Sequence, residues 1–134
     1  MRAIAYVSAA IPNLDGRKLD DIVAESRRLN ALHGITGVLL HCDGSFMQYI
    51  EGDAQAVGET FARIRASSSH SRVYELLDQA IVEREFTDWT MGFAQSQRGE
   101  FAGIAGARWR DLAGEGPGLA LLRTFWASSR CAEG

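Results

Sequence analysis

Four polar side chains stand where the surrounding pattern is apolar: Tyr6, Ser26, Asn30 and Gln48. Gln48 is the sharpest case. In Phe46-Met47-Gln48-Tyr49-Ile50 a strand puts Phe46, Gln48 and Ile50 on one face and Met47 and Tyr49 on the other. Both faces are apolar, so this strand belongs inside a sheet, and a buried carboxamide is costly unless its donors and acceptor are paired. Ser26 and Asn30 lie one helical turn apart on the stripe that carries Ile22, although both are poor helix-interior residues. Ile4, Tyr6 and Ser8 share a strand face. Together these groups match a planar ligand with donors and acceptors along its edge, held in a mostly apolar pocket. The alternative is a satisfied core: a buried Tyr with an amide partner is more often packing than a site, and Asn30 could bond the Leu32-His33-Gly34 turn.

Other chemistry is weakly supported. His33, His41 and His70 have no metal-ligand spacing, and Cys42 and Cys131 form neither a metal site nor a disulfide framework. His41 and Cys42 are neighbours on a strand and point to opposite faces, so they form no dyad. Ser8 lacks His–Asp support for a nucleophile, and Gly34, Gly37 and Gly44 do not make a phosphate loop. Trp89 and Met91 share a strand face; they are either core packing or a mobile pair that exchanges places.

The elements that must position these residues follow from periodicity. Residues 2–8 read as a strand, 17–34 as a helix with Leu19, Ile22, Val23, Ser26 and Asn30 on one face, and 35–41 as a second strand. Asp43-Gly44 is a hairpin signal leading into the Gln48 strand. Asp53 caps a second helix to about residue 66, with Val57, Phe61 and Ile64 inward. Residues 67–71 read as a loop, 72–85 contain a fourth strand, and 90–96 are a fifth. A short helix near 99–112 and an amphipathic one at 119–130 follow. The order β-α-β-β-α-β-β predicts an α+β, ferredoxin-like sheet with two helices on one face, plus C-terminal helices that cover the other face or meet a partner. In that topology the first and third strands are neighbours, so Tyr6 and Gln48 can meet.

A chain of 134 residues suits one core. A net charge of -3 argues against nucleic acid as the main partner. No apolar run approaches the ~18 residues of a membrane span, and the N-terminus does not read as a signal peptide. A reduced, cytoplasmic protein is the plain expectation.

The residues also carry a family resemblance. Tyr6-Val7-Ser8, the run from Ser26 to Gly52 with its Gly-Ile-Thr-Gly strand and Phe-Met-Gln-Tyr-Ile-Glu-Gly, Arg72 to Leu76, Arg84-Glu85-Phe86, and Trp89-Thr90-Met91-Gly92-Phe93 fall in one order. Over about residues 2–96 the chain resembles the BLUF domain, a blue-light sensor using flavin. The resemblance implies a photosensor domain at 1–97 and a helical extension at 98–134 that serves as cap, output or oligomer contact, similar to short BLUF proteins without an appended enzyme. It implies that Tyr6 is the photoactive tyrosine and Gln48 the switching glutamine. Asn30 would hold the flavin edge, Ile22 and Ser26 would line the ring, and Ser8, Phe46, His70 and Arg84 would stand near it. Trp89 and Met91 would relay the signal. FAD is the first choice of flavin, with FMN or riboflavin open. A homo-oligomer, dimer or larger, and a downstream signalling protein are the implied partners.

One stretch departs from the family. Its usual Asp-x-Arg-His loop reads Ser67-Ser68-Ser69-His70 here, and serine cannot replace the charge-assisted grip of arginine. Flavin affinity and flavin choice are the properties this touches. Two rival readings stand beside the photoreceptor, which would make no substrate bond. One is a light-insensitive flavin- or ligand-binding module, which intact Tyr6 and Gln48 argue against. The other is a small acylphosphatase-like hydrolase, for which residues 9–18 supply no convincing phosphate loop.

Overall fold

A computed structural model describes residues 1–10, 16–67, 70–87, 92–111, 114–115 and 117–133. Strand β1 (Arg2–Ala10) leads to helix α1 (Gly16–His33), whose buried residues are Leu19, Val23 and Asn30. Strands β2 (Thr36–Cys42) and β3 (Ser45–Gly52) form the expected hairpin. Its two turn residues, Asp43 at φ 44° and Gly44 at φ 80°, both take the left-handed conformation that a tight two-residue hairpin turn demands. Helix α2 (Ala54–Ala66), strand β4 (His70–Ala80) and strand β5 (Gly92–Gln95) complete the sheet.

The strand order is β4-β1-β3-β2-β5. The first four strands are antiparallel neighbours, and β5 joins β2 in parallel. This is the split β-α-β arrangement with one strand added at the edge. Two clusters on one face join the sheet to α1 and α2: Ile4, Tyr6, Ile35 and Ile50 with Val57 and Phe61, and Phe46 and Leu39 with Leu19 and Val23. The other face is closed by α3 (Arg98–Ala105) and α4 (Pro117–Glu133). There Ile104, Trp109, Leu119, Leu122 and Trp126 pack with Ala3, Ala5, Val38, Leu40, Met47 and Tyr49. Strand β3 is therefore covered on both sides, which is why both of its faces are apolar. A small two-stranded ribbon, β6 (Arg110–Asp111) with β7 (Gly114–Glu115), lies between α3 and α4 in the chain. Among the described residues, no helix is long and apolar enough to cross a membrane.

Some boundaries differ from the sequence expectation. The strand expected within 72–85 begins at His70, inside the stretch expected to be a loop, and ends at Ala80. The reason is pairing: β1 runs on to Ala10 and offers partners to Ser71 and His70, with a register shift nearby where Arg72 takes φ 51°. Residues 99–112 are not one helix: α3 stops at Ala105 and Gly106 caps it. Helix α4 begins at Pro117, a residue suited to the first helical turn, rather than at 119.

Asp53 caps α2 as expected, its carboxylate accepting from the N–H groups of Gln55 and Ala56 at 3.1 Å each. Changing Asp53→Ala should cost about 1 kcal/mol of stability, read as a lower urea midpoint with an unchanged slope.

Candidate functional site

Strand register decides the centre of the site. Tyr6 on β1 lies directly opposite Gln48 on β3, and Leu39 on β2 flanks Gln48 from the other side. Tyr6 and Gln48 are both buried, and the Tyr6 hydroxyl donates to Gln48 Oε1. The Phe61 ring of α2 stands 5.5 Å from the Tyr6 ring and helps to fix it, while the Arg65 guanidinium covers Phe61 at 4.5 Å from its centroid. Burial pushes the Tyr6 phenol well above its ordinary pKa. It is therefore a neutral donor throughout the working pH range. With Oε1 turned to Tyr6, the carboxamide presents its Nε2 end on its other side.

Gln48 also contributes to a cavity of about 400 Å³ between α1 and α2. Helix α1 supplies Ile22, Ser26, Leu29 and Asn30, with Asp21 and Glu25 beside them. Helix α2 supplies Thr60, Arg63 and Ile64, and Ser67 closes its end. The volume falls within the ~300–1,000 Å³ of small-molecule sites. Aliphatic walls and buried carboxamides from Asn30 and Gln48 suit a flat, heteroatom-edged ring. A charge-assisted bond from Arg28 holds the Glu25 carboxyl below its usual range, so Glu25 is ionised there at neutral pH. The Arg63 guanidinium lies 3.4 Å from His33 Nε2 and donates to Thr60 Oγ1 at 3.2 Å.

Of the residues singled out from sequence, Ile22, Ser26, Asn30 and Gln48 line this cavity, and Tyr6 stands behind Gln48. Ser8 and Phe46 face each other in register farther along the same strands, and Phe46 packs into the cluster with Leu19, Val23 and Leu39. Arg84 sits elsewhere. Its guanidinium donates to Gly34 O at 2.8 Å, Thr36 Oγ1 at 2.9 Å and Glu51 O at 3.4 Å, bracing the start of β2 instead of the cavity wall. The backbone of His70 pairs with Ala10, while its side chain lies outside the described residues, as do Trp89 and Met91 and the loop residues Ser68 and Ser69. Thr60 and Arg63 were not singled out from sequence. Their signal is spacing: residues 60, 63, 64 and 67 form a stripe adjoining the inward Val57–Phe61 face.

The family description "Sensors of blue-light using FAD" matches residues 1–92. The chain belongs to the BLUF family. The photoactivated adenylate cyclase subunit beta of Euglena gracilis is 32% identical over 98 residues, 72% of this chain and 11% of that protein. The BLUF chain thus spans about a tenth of the curated relatives it matches. The dark-state structure of the BLUF protein BlrB superposes with a TM-score of 0.75 at 31% identity, covering 96% of both chains. Klebsiella pneumoniae BlrP1, solved with FMN and cyclic diGMP, gives a TM-score of 0.65 at 29% identity over 70% of this chain and 25% of that one. The α+β fold and the assignment as a blue-light flavin sensor rest on these likenesses and on the sheet order above. The rival hydrolase and light-insensitive readings find no such support.

Proposed function

We propose that this BLUF chain senses blue light through the Tyr6–Gln48 pair, with a flavin held between α1 and α2. The observation that carries the reading is the Tyr6 hydroxyl donating to Gln48 Oε1, with Gln48 itself part of the cavity wall. FAD is the flavin favoured by the family description, and the structure of BlrP1 with FMN keeps FMN as the nearest alternative.

A bound flavin supplies absorption of blue light and an excited state that takes up an electron. The residues do the rest. Asn30 and Gln48 orient the ring edge, Ile22, Leu29 and Ile64 exclude water from its faces, and Arg63 supplies positive charge at the cavity. Tyr6 is the electron donor. Because its buried phenol does not ionise by itself, its proton leaves only as an electron leaves, and Gln48 Oε1 is positioned to receive it. When electron and proton return to Tyr6, the carboxamide of Gln48 has been reversed or its proton relocated. Gln48 then presents the cavity with an acceptor where it presented a donor, or the converse, a change of hydrogen bonding that would move the absorption of a bound flavin to the red. No substrate bond is made or broken, so the chain acts as a receptor.

The output reaches β5 through Trp89 and Met91 and then the helices of 98–134, which serve as cap and as an interface with a second copy or a downstream protein. An oligomer size and hydrogen exchange of these helices that do not change in light would count against that last step.

The absorption spectrum of the purified protein, dark and then under blue light, tests the reading. A flavin spectrum that moves to the red as a whole and returns in darkness is expected. A flavin spectrum that bleaches or stands still would overturn the switch. A colourless protein that takes up no added flavin would overturn the site.

A further inference from the structure

Glu51 is the most buried acidic side chain among the described residues, and the switch described above does not use it. It lies three residues beyond Gln48 on β3 but points to the opposite face of the sheet, with Met47 and Tyr49. Its carboxylate accepts from the N–H of Glu85 through both oxygens and from the N–H of Phe86 at 3.0 Å. Those residues belong to the connection between β4 and β5. The same short segment is held at three further points. Arg84 braces the start of β2, the Phe86 ring meets Tyr49 edge-on with centroids 5.5 Å apart, and the Glu85 carboxylate pairs with Arg123 of α4 at 3.2 Å.

We infer that Glu51 is a positioning residue that fastens residues 84–86 to the switch strand and through them couples β3 to the C-terminal helix α4. A buried carboxylate is kept only where its hydrogen bonds are made, and these bonds come from backbone N–H groups that every residue but proline supplies. Any shift of β3 that accompanies rearrangement at Gln48 moves the Glu51 carboxylate, and with it the Glu85–Arg123 contact. This gives the switch strand a grip on the cap that does not pass through Trp89 or Met91. The light-dependent part rests on the photoreceptor reading; the fastening itself does not.

The charges around Glu51 set its response to pH. Arg84 and Glu85 face it from the connection, with Arg123 beyond Glu85 on α4. Its strand neighbours, Ala3 and Thr36, carry none. Burial raises the Glu51 carboxyl more than the two backbone donors and Arg84 lower it. The ionised form is therefore the costly one in the fold. The stability linked to Glu51 is fully present below the carboxyl's unfolded pKa and is lost as pH rises through the raised folded value. Opening of the 84–86 segment would return the carboxyl to water and to its ordinary pKa, so the fastening is firmest at low pH and loosens as pH rises through the raised folded value.

Amide hydrogen exchange of the flavin-loaded protein tests this, in the wild type and in Glu51→Gln, whose NH2 end would oppose an N–H donor. In the dark, the amides of Glu85 and Phe86 should exchange at least tenfold faster in the variant; equal rates would overturn the fastening. If the variant does not fold, the wild type answers instead: protection at these two amides, corrected for intrinsic rates, should drop as pH rises through the raised Glu51 value, before global protection does. Uniform loss would overturn it. In light, the variant should keep the wild-type red shift but lose most of the light-induced exchange change around Arg123. A retained change would overturn the coupling. If the wild type itself shows no red shift, the photoreceptor reading fails, and the dark comparison still decides the fastening.

Discussion

Tyr6→Phe is expected to abolish the light-induced red shift while leaving the protein yellow. Phenylalanine fills the space of the tyrosine ring and keeps its contact with Phe61, so the core is retained. What is lost is the hydroxyl that donates to Gln48 Oε1. That loss should cost about 1 kcal/mol of stability, because a buried acceptor is left without one donor. The functional effect is far larger. The phenyl ring carries no labile proton and is a much poorer electron donor, so Gln48 receives no proton from that side. Tyr6 stands behind Gln48 rather than among the residues that line the cavity, so flavin uptake should change little. A variant that still shifts to the red with wild-type amplitude would remove Tyr6 from the mechanism. A colourless variant would instead make Tyr6 part of the binding site.

The second large effect lies on the opposite face of the sheet. Trp126 of α4 is buried, and its ring lies so close over Gly92 of β5 that a Cβ there would come within 2.5 Å of it. Val38 of β2 borders the same spot, at 3.2 Å from that Cβ position. Trp126→Ala removes one of the two buried tryptophans of the cap and leaves a void on the sheet, so a loss of ~3–5 kcal/mol is expected. That is a large share of the ~5–15 kcal/mol that holds such a domain together. Denaturant unfolding of the two proteins measures it. The milder Gly92→Ala acts from the other side by pushing the indole off the strand, and it should loosen α4 while leaving the α1–α2 cavity untouched. If Trp126→Ala costs less than about 1 kcal/mol, the cap is held by its other residues and β5 has little purchase on α4. Both variants bear on signal output, because β5 begins at Gly92, the residue that follows Met91 in the sequence.

The sequence alone disclosed the order of the elements, the hairpin at Asp43-Gly44, the cap at Asp53 and the polar outliers Tyr6, Asn30 and Gln48. Each of these is written locally, in a period of 2 or 3.6 residues, a turn dipeptide or a polar residue within an apolar stripe. The family resemblance added roles to the same positions. What no local pattern carries is which strands become neighbours and at what register. The pairing of Tyr6 with Gln48 was open until β1 and β3 lay side by side with those two residues opposite each other. The start of β4 at His70 was hidden for the same reason, since the polar His70 and Ser71 become strand only where β1 extends far enough to pair with them.

Charged side chains were the least legible. Arg84 and Glu51 look like surface residues in a linear reading. Their partners are backbone groups from segments more than thirty residues away in the chain, at Gly34, Glu85 and Phe86. Arg63 and Thr60 likewise gained meaning only when α2 closed over α1. Local composition determined that this chain makes a β-α-β-β-α-β-β sheet with a carboxamide buried in its central strand. Tertiary packing decided that the carboxamide meets a phenol on one side and a cavity on the other, because burial and hydrogen-bond partners are set by distant segments brought together.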